Sequence, residues 1–245
     1  MSKLARQRRT QTLTTDPSFS IVLCDDGTRT LKCNRRGVTW HSESGAVAES
    51  QLVFLENSHV AERLRQQAQR SGEDDAVRVL EVGFGTGLNF WLTASLALDS
   101  RASLQYVALD PKLIADEVLD ALQYAAFESC NPAIKEFSTS VQQQRIDDVE
   151  LFLIEQMFEE TDLSAFRESF DAVYHDAFSP DVTPQLWQEE VFAKLHAVLK
   201  RGGRLVTYCV KSEIRKRLSR VGFEVSKTAG PRGGKREVLV ATKRG

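Results

Sequence analysis

From Val77 to Lys243 the chain alternates short β-branched runs with amphipathic ones, and that order leaves few folds open. VRVLEVG, LQYVALD, FDAVYHD and GRLVTYCV read as buried strands. LNFWLTASLAL, a segment from about Pro111 to Tyr124, TPQLWQEEVFAKLHAVL and SEIRKRLSRVG read as helices. STSVQQQRI is a weaker strand candidate, and DDVELFLIEQMF after it reads as a strong helix. FEVSKT and EVLVATK close the chain as a hairpin, so the last strand enters the sheet antiparallel. The pattern predicts a doubly wound, Rossmann-like α/β sheet over residues 76–245.

Ahead of this domain, SIVLCDDGTRTLKCN alternates apolar and polar residues around Asp-Gly, a hairpin signal. WHSESGAVAESQLVFLENSHVAERLRQQAQ then reads as a turn followed by a helix. The polar break SGEDD, Ser71 to Asp75, separates residues 19–75, a small N-terminal extension, from the main domain. Residues 1–18 read as a basic flexible tail; they have no apolar core, so they are not a secretory signal.

No apolar run approaches the roughly 20 residues that cross a bilayer. Cys24, Cys33, Cys130 and Cys209 form no C-x-x-C pair and do not cluster with histidines at metal-ligand spacing. The expectation is a cytoplasmic protein with reduced thiols and no metal. Net charge is only −2 but unevenly spread: residues 200–245 carry 14 Lys and Arg against three acids, and residues 1–199 carry 18 against 31. A basic end on an acidic body fits a polyanionic partner as well as it fits a solvated surface.

Chemistry first appears in LEVGFGTGLNF, Leu80 to Phe90, a glycine turn between a strand and a helix. Gly83, Gly85 and Gly87 permit backbone torsions and close approaches that a Cβ blocks. Glu81, two residues before the first glycine, repels a pyrophosphate but suits a cationic ligand such as S-adenosylmethionine. Asn89 opens the following helix and joins the expected cofactor-binding set. Asp110 ends the second strand, where an acid accepts ribose hydroxyls, and Asp147, after the expected third strand, is placed to accept an adenine amino group. This E-x-G-x-G-x-G turn with an acid ending the next strand, together with the closing hairpin, favours a class I S-adenosylmethionine-dependent methyltransferase.

YHDAFSPD then sets Asp176 at the mouth of the fourth strand, where ligands of open α/β sheets bind. Many amino-methyltransferases carry N/D-P-P-Y/F at this place. Here a carboxylate stands with Phe178 and Pro180 as walls, which suits an aliphatic amine acceptor. His175 reads as a buried, satisfied core histidine in preference to a second base.

GFGTGLNF, DAVYHDAFSP with Trp187 downstream, GGKREVLVA, and the block WHSESGAVAESQLVFLEN together resemble one family. It is the methyltransferase component of the tRNA 5-methylaminomethyl-2-thiouridine biosynthesis enzyme. The resemblance spans most of the chain from about Asp25. It implies methyl transfer from S-adenosylmethionine to the aminomethyl nitrogen of a wobble uridine, with Asp176 holding the amine. Glu49 matches an acid of the family's N-terminal block without an assigned role. In many bacteria this component is fused to a flavin-dependent oxidase; the chain here resembles the stand-alone form. RKRLSR and GPRGGKR, the latter with Arg232, Lys235 and Arg236, would then grip phosphates of the anticodon region of tRNA. A small-molecule amine methyltransferase or aminopropyltransferase-like enzyme on the same sheet stays open as the alternative, as does a non-catalytic RNA-binding protein.

Overall fold

The structure is a computed structural model describing residues 10–12, 16–67, 76–124, 131–231, 233–234 and 236–245. The polar break at 71–75, Cys130, Arg232 and Lys235 lie outside the described residues.

An eight-stranded mixed sheet forms the centre. In chain order its strands are β5 (Val77–Val82), β6 (Leu104–Asp110), β7 (Gln143–Ile146), β8 (Val149–Glu155), β9 (Phe170–His175), β10 (Leu199–Thr207), β11 (Phe223–Ala229) and β12 (Glu237–Lys243). Their spatial order is β11-β12-β10-β9-β5-β6-β8-β7. The five strands from β10 to β8 run parallel, and β12 enters antiparallel beside β10, with β11 outside it. This is the class I S-adenosylmethionine methyltransferase sheet, with the order reversal between β5 and β9.

Alternation along the strands divides the core. Val79, Tyr106, Ala108, Ala172 and Tyr174 face one side, while Leu80, Val82, Val107, Leu109 and Val173 face the other. The first side is covered by α3 (Leu88–Ser100) and by the N-terminal region; the second by α5 (Glu189–Val198) and α6 (Ser212–Arg220). α3 ends at Arg101, whose left-handed φ of 53° closes the helix.

The N-terminal region has its own antiparallel sheet, β1 (Thr10–Thr12), β2 (Phe19–Leu23), β3 (Arg29–Cys33) and β4 (Val38–Thr39), in sequential order. β1 falls within the stretch expected as a tail and pairs with Ser20 to Val22. After it come α1 (Ala46–Ser50), a π-helical turn over Gln51–Glu56, and α2 (Val60–Gln67). The single helix expected here is therefore broken, at His59, by a left-handed residue with φ 67°. The region is tied to the main sheet by long-range polar contacts. Arg63 and Lys200 both meet buried Asp171, Arg204 donates to the Asn57 carbonyl, and Arg29 to that of Ala121.

One expected helix is shortened and another is a strand. Residues 111–124 contain only the short α4 (Asp116–Asp120). VELFLIE, expected within a helix, is the parallel strand β8, preceded by the short antiparallel β7. Val149, Leu151 and Leu153 alternate inward, a period of two that the Leu- and Glu-rich composition obscures. No helix among the described residues is long and apolar enough to cross a membrane.

Candidate active site

The carboxyl ends of β5, β6 and β9 converge at the order reversal, and the glycine turn grows from β5 there. Gly83 N–H donates to the Leu109 carbonyl at 2.8 Å, holding the turn against β6. Gly83, Gly85 and Gly87 all have positive φ, at 92°, 55° and 71°. A Cβ on Gly83 would lie 2.8 Å from the Asp176 carbonyl oxygen, so the turn and the loop after β9 meet backbone to backbone. A Cβ on Gly85 would lie 2.7 Å from Cδ1 of Trp40. Gly85 is thus required by a neighbouring side chain as well as by its torsion.

The acids are arranged on this frame. Asp110 is held by two backbone donors, Gly85 N–H to Oδ2 and Lys112 N–H to Oδ1, each at 3.0 Å. Burial nonetheless raises its pKa, the two hydrogen bonds opposing the shift. Glu81 is fully buried and accepts from the Tyr106 hydroxyl at 2.9 Å and the Asn89 amide at 2.7 Å. Its burial, with the nearby Asp176 charge, pushes its pKa well above the usual carboxylate range. The same Asn89 nitrogen lies 2.8 Å from Asp176 Oδ2, so one amide joins the acids of β5 and of the loop after β9.

The DAFSP loop is fixed from behind. The Phe178 carbonyl accepts from Thr183 Oγ1 at 2.7 Å and from the Trp187 indole at 2.8 Å, and Tyr208 donates to the Ala177 carbonyl at 2.8 Å. His175 lies on the opposite face, buried beside Trp187, with Nε2 donating to the Leu186 carbonyl at 2.9 Å. Burial lowers its pKa to about 4, so it is a neutral core residue at neutral pH.

Trp40 was not singled out by sequence reasoning. Its indole meets Phe178 edge-on at 5.5 Å and Phe19 at 5.6 Å, so the N-terminal sheet touches both the glycine turn and the acceptor-side loop. The available signal was a tryptophan directly before the polar, glycine-containing turn HSESG. Glu49 is buried near by, accepting from Ser42 N–H at 2.9 Å, and its charge reaches His41 and Tyr208. Phe178 and Pro180 are half-buried beside the loop.

Two placements differ from expectation. Asp147 is exposed in the β7–β8 turn with φ 50°, beyond the amino end of β8. At about 3.3 Å per residue, six residues of strand put it roughly 20 Å from the site edge. Once VELFLIE is a strand, the acid at the correct edge is Glu155, which pairs in register with Asp110 and accepts from Leu113 N–H at 3.2 Å. RKRLSR on α6 is also partly committed elsewhere: Arg217 donates to the Trp187 carbonyl and Arg220 pairs with Glu189 at 2.6 Å. The hairpin loop stays at the site edge, because Thr207 of β10 pairs with Leu239 of β12. A Cβ on Gly234 would come within 4.0 Å of Ser42 Oγ, and Arg236 is exposed there.

The arrangement fits S-adenosylmethionine on its own terms. An acid ending β6, a buried carboxylate, and a buried Asn89 Oδ1 without a protein partner suit a cationic ligand bearing hydroxyl and amino donors.

Residues 122–244 match the profile of a family of S-adenosyl-L-methionine-dependent methyltransferases. The chain belongs to that family. The methyltransferase is also 30% identical over 231 residues to the tRNA 5-methylaminomethyl-2-thiouridine biosynthesis bifunctional protein MnmC of Azoarcus sp., covering 90% of this chain and 35% of that one. It is 29% identical over 211 residues to the protein of the same name from Leptospira borgpetersenii, covering 82% and 31%. It thus spans about a third of the length of these curated relatives. Among solved structures, MNMC2 from Aquifex aeolicus shares the fold, with a TM-score of 0.70 at 22% identity over 95% of this chain and 72% of that one.

Proposed function

We propose that this methyltransferase methylates the amine of 5-aminomethyl-(2-thio)uridine at the wobble position of tRNA, giving 5-methylaminomethyl-(2-thio)uridine. The observation that carries the reading is Asp176. Its carboxylate ends the strand next to the glycine turn, its backbone touches Gly83, and its side chain is linked to Glu81 through one amide. The names of the relatives supply the acceptor that such a carboxylate suits.

In this reading the turn carrying Gly83, Gly85 and Gly87 would border the donor, and Asp110 would accept its ribose hydroxyls. Glu81 and Asn89 face its amino group. Bound S-adenosylmethionine supplies an electrophilic methyl group on a sulfonium. Asp176 binds the acceptor as an ammonium, takes a proton from it, and holds the nitrogen with its lone pair exposed. Phe178 and Pro180 wall the base, which must leave its stack to bring its C5 substituent here. Glu49, behind Tyr208, adds negative charge on the acceptor side. Arg236, with Arg232 and Lys235 of the same loop, contacts phosphates of the anticodon region.

Labelled methyl transfer to two tRNA pools tests this, one carrying 5-aminomethyluridine at the wobble position and one lacking the aminomethyl group. Label in the first alone is expected. Label in neither, or equally in both, overturns the acceptor.

A further inference from the structure

Phe178 is pinned through its backbone and left open at its ring. Its carbonyl accepts from Thr183 Oγ1 at 2.7 Å and from the Trp187 indole at 2.8 Å. Those bonds fix the main chain but not the torsion about Cα–Cβ that aims the ring. The ring is half-buried, and among the described residues it joins neither of the two apolar clusters of the core. The aromatic ring it meets is that of Trp40, edge-on at 5.5 Å and 65°.

Trp40 in turn is well anchored. Its N–H donates to the Leu31 carbonyl at 3.0 Å, Phe19 meets its indole at 5.6 Å, and its side chain packs against the first side of the core. Along another edge of the indole, Cδ1 lies 2.7 Å from the place a Cβ on Gly85 would take. A line of contacts thus runs from the core through Trp40 to Phe178, and its middle member also touches the glycine turn.

We infer that Trp40 is a positioning residue for the acceptor, holding the Phe178 ring in one rotamer beside the glycine turn as a wall on which a flat base stacks. The meaning for the acceptor rests on the proposed function; the hold on the ring does not. A phenylalanine ring outside the core samples several staggered rotamers, and a base that binds it must freeze one of them. Edge-to-face contact with an anchored indole meets that cost before the base arrives. A stacked wall acts on the ring of the base, away from the nitrogen and methyl that change in the reaction. It therefore stabilises the bound ground state and the transition state alike, and its loss shows in KM more than in kcat.

The first test needs no acceptor. In protein labelled with carbon-13 and nitrogen-15 at phenylalanine, three-bond couplings from the backbone nitrogen and carbonyl carbon to Cγ report the rotamer of each ring. Phe178→Leu assigns the residue. The natural protein is expected to give the couplings of a single Phe178 rotamer, and Trp40→Leu to give averaged ones. Trp40→Met serves in the same way if the leucine variant does not melt cooperatively. Averaged couplings in the natural protein, or single-rotamer couplings in the variant, overturn the inference.

Kinetics supply a second readout. At saturating donor, Trp40→Leu should raise KM for the aminomethyl tRNA by roughly 5- to 10-fold and leave kcat within about threefold. Donor affinity by calorimetry should also stay within about threefold. An unchanged KM overturns the acceptor role. A fall in donor affinity that matches the loss of kcat/KM assigns Trp40 to the glycine turn alone and overturns it too. If the natural protein fails to methylate the aminomethyl tRNA, the acceptor reading fails, while the rotamer couplings still decide whether Trp40 holds the wall.

Discussion

Replacing Gly83 by alanine should slow methyl transfer without an equal loss of donor affinity. The new methyl would sit 2.8 Å from the Asp176 carbonyl oxygen, against an ordinary contact of 3.4 Å or more. The obstruction is backbone, so no side chain can swing aside, and the loop after β9 must retreat by about 0.6 Å. A misplacement of about 1 Å costs on the order of 10²-fold in a positioned reaction, so this retreat should cost roughly 10-fold in kcat. The residue also has φ 92°, and a Cβ in positive-φ backbone costs about 1–2 kcal/mol. In a domain of this size that lowers Tm by roughly 2–8 °C. Single-turnover transfer with saturating donor, donor titration by calorimetry, and a thermal melt separate the effects. A kcat within twofold of the natural protein would refute the backbone-contact argument. So would a loss fully restored by more donor, which would place the yielding in the glycine turn.

Asp176→Asn should retain donor affinity by calorimetry but lose about 10²–10⁴-fold in transfer rate, and undiminished turnover removes the role given to that carboxylate. Gly85→Val should abolish donor binding, since φ 55° disfavours a branched residue and the indole of Trp40 already occupies the space; normal calorimetric affinity contradicts this. His175 has its pKa lowered from 6.5 to about 4, so its contribution to stability is present above pH 6.5 and is lost as pH falls toward 4. That loss is worth about 3 kcal/mol, and His175→Phe should flatten melting temperature against pH across this window. An equally steep acid limb in the variant would assign acid sensitivity to other groups. Neutralising Arg232, Lys235 and Arg236 should weaken tRNA binding and reduce its log-log salt slope by roughly 0.7–0.9 per lost phosphate contact. An unchanged slope places the RNA on another surface.

Much of the fold was legible because buried parallel strands advertise themselves. LEVGFGTGLNF joins a β-branched strand, a glycine turn and an apolar helix in ten or so residues, and each piece formed as read. VELFLIE was not legible for the opposite reason. Its Leu and Glu residues are good helix formers and apolar residues lie on both of its faces, so only the neighbouring strands decide that it extends. That single misreading carried Asp147 to the wrong edge of the sheet, because an acid before a helix and an acid before a strand sit at opposite ends. Asp110, Glu81 and Asp176 were legible as acids at strand ends. Asn89's position between two of them was not, since it depends on a helix docking across the mouths of β5 and β9. Trp40 escaped for the same reason: its partners, Gly85 and Phe178, are brought to it only by the assembled sheet.

The contact between Trp40 and Phe178 also sets a clock on synthesis. Phe178 follows Trp40 by 138 residues, which a ribosome needs roughly 7–28 s to add. Through that interval the N-terminal sheet has already emerged, while the loop that covers its tryptophan has not been made. Phe19, which packs on the same indole, shares the exposure. The nascent chain therefore carries an uncovered aromatic face for many seconds, the kind of surface that holding chaperones bind. Translation that pauses between β4 and β9 prolongs this window.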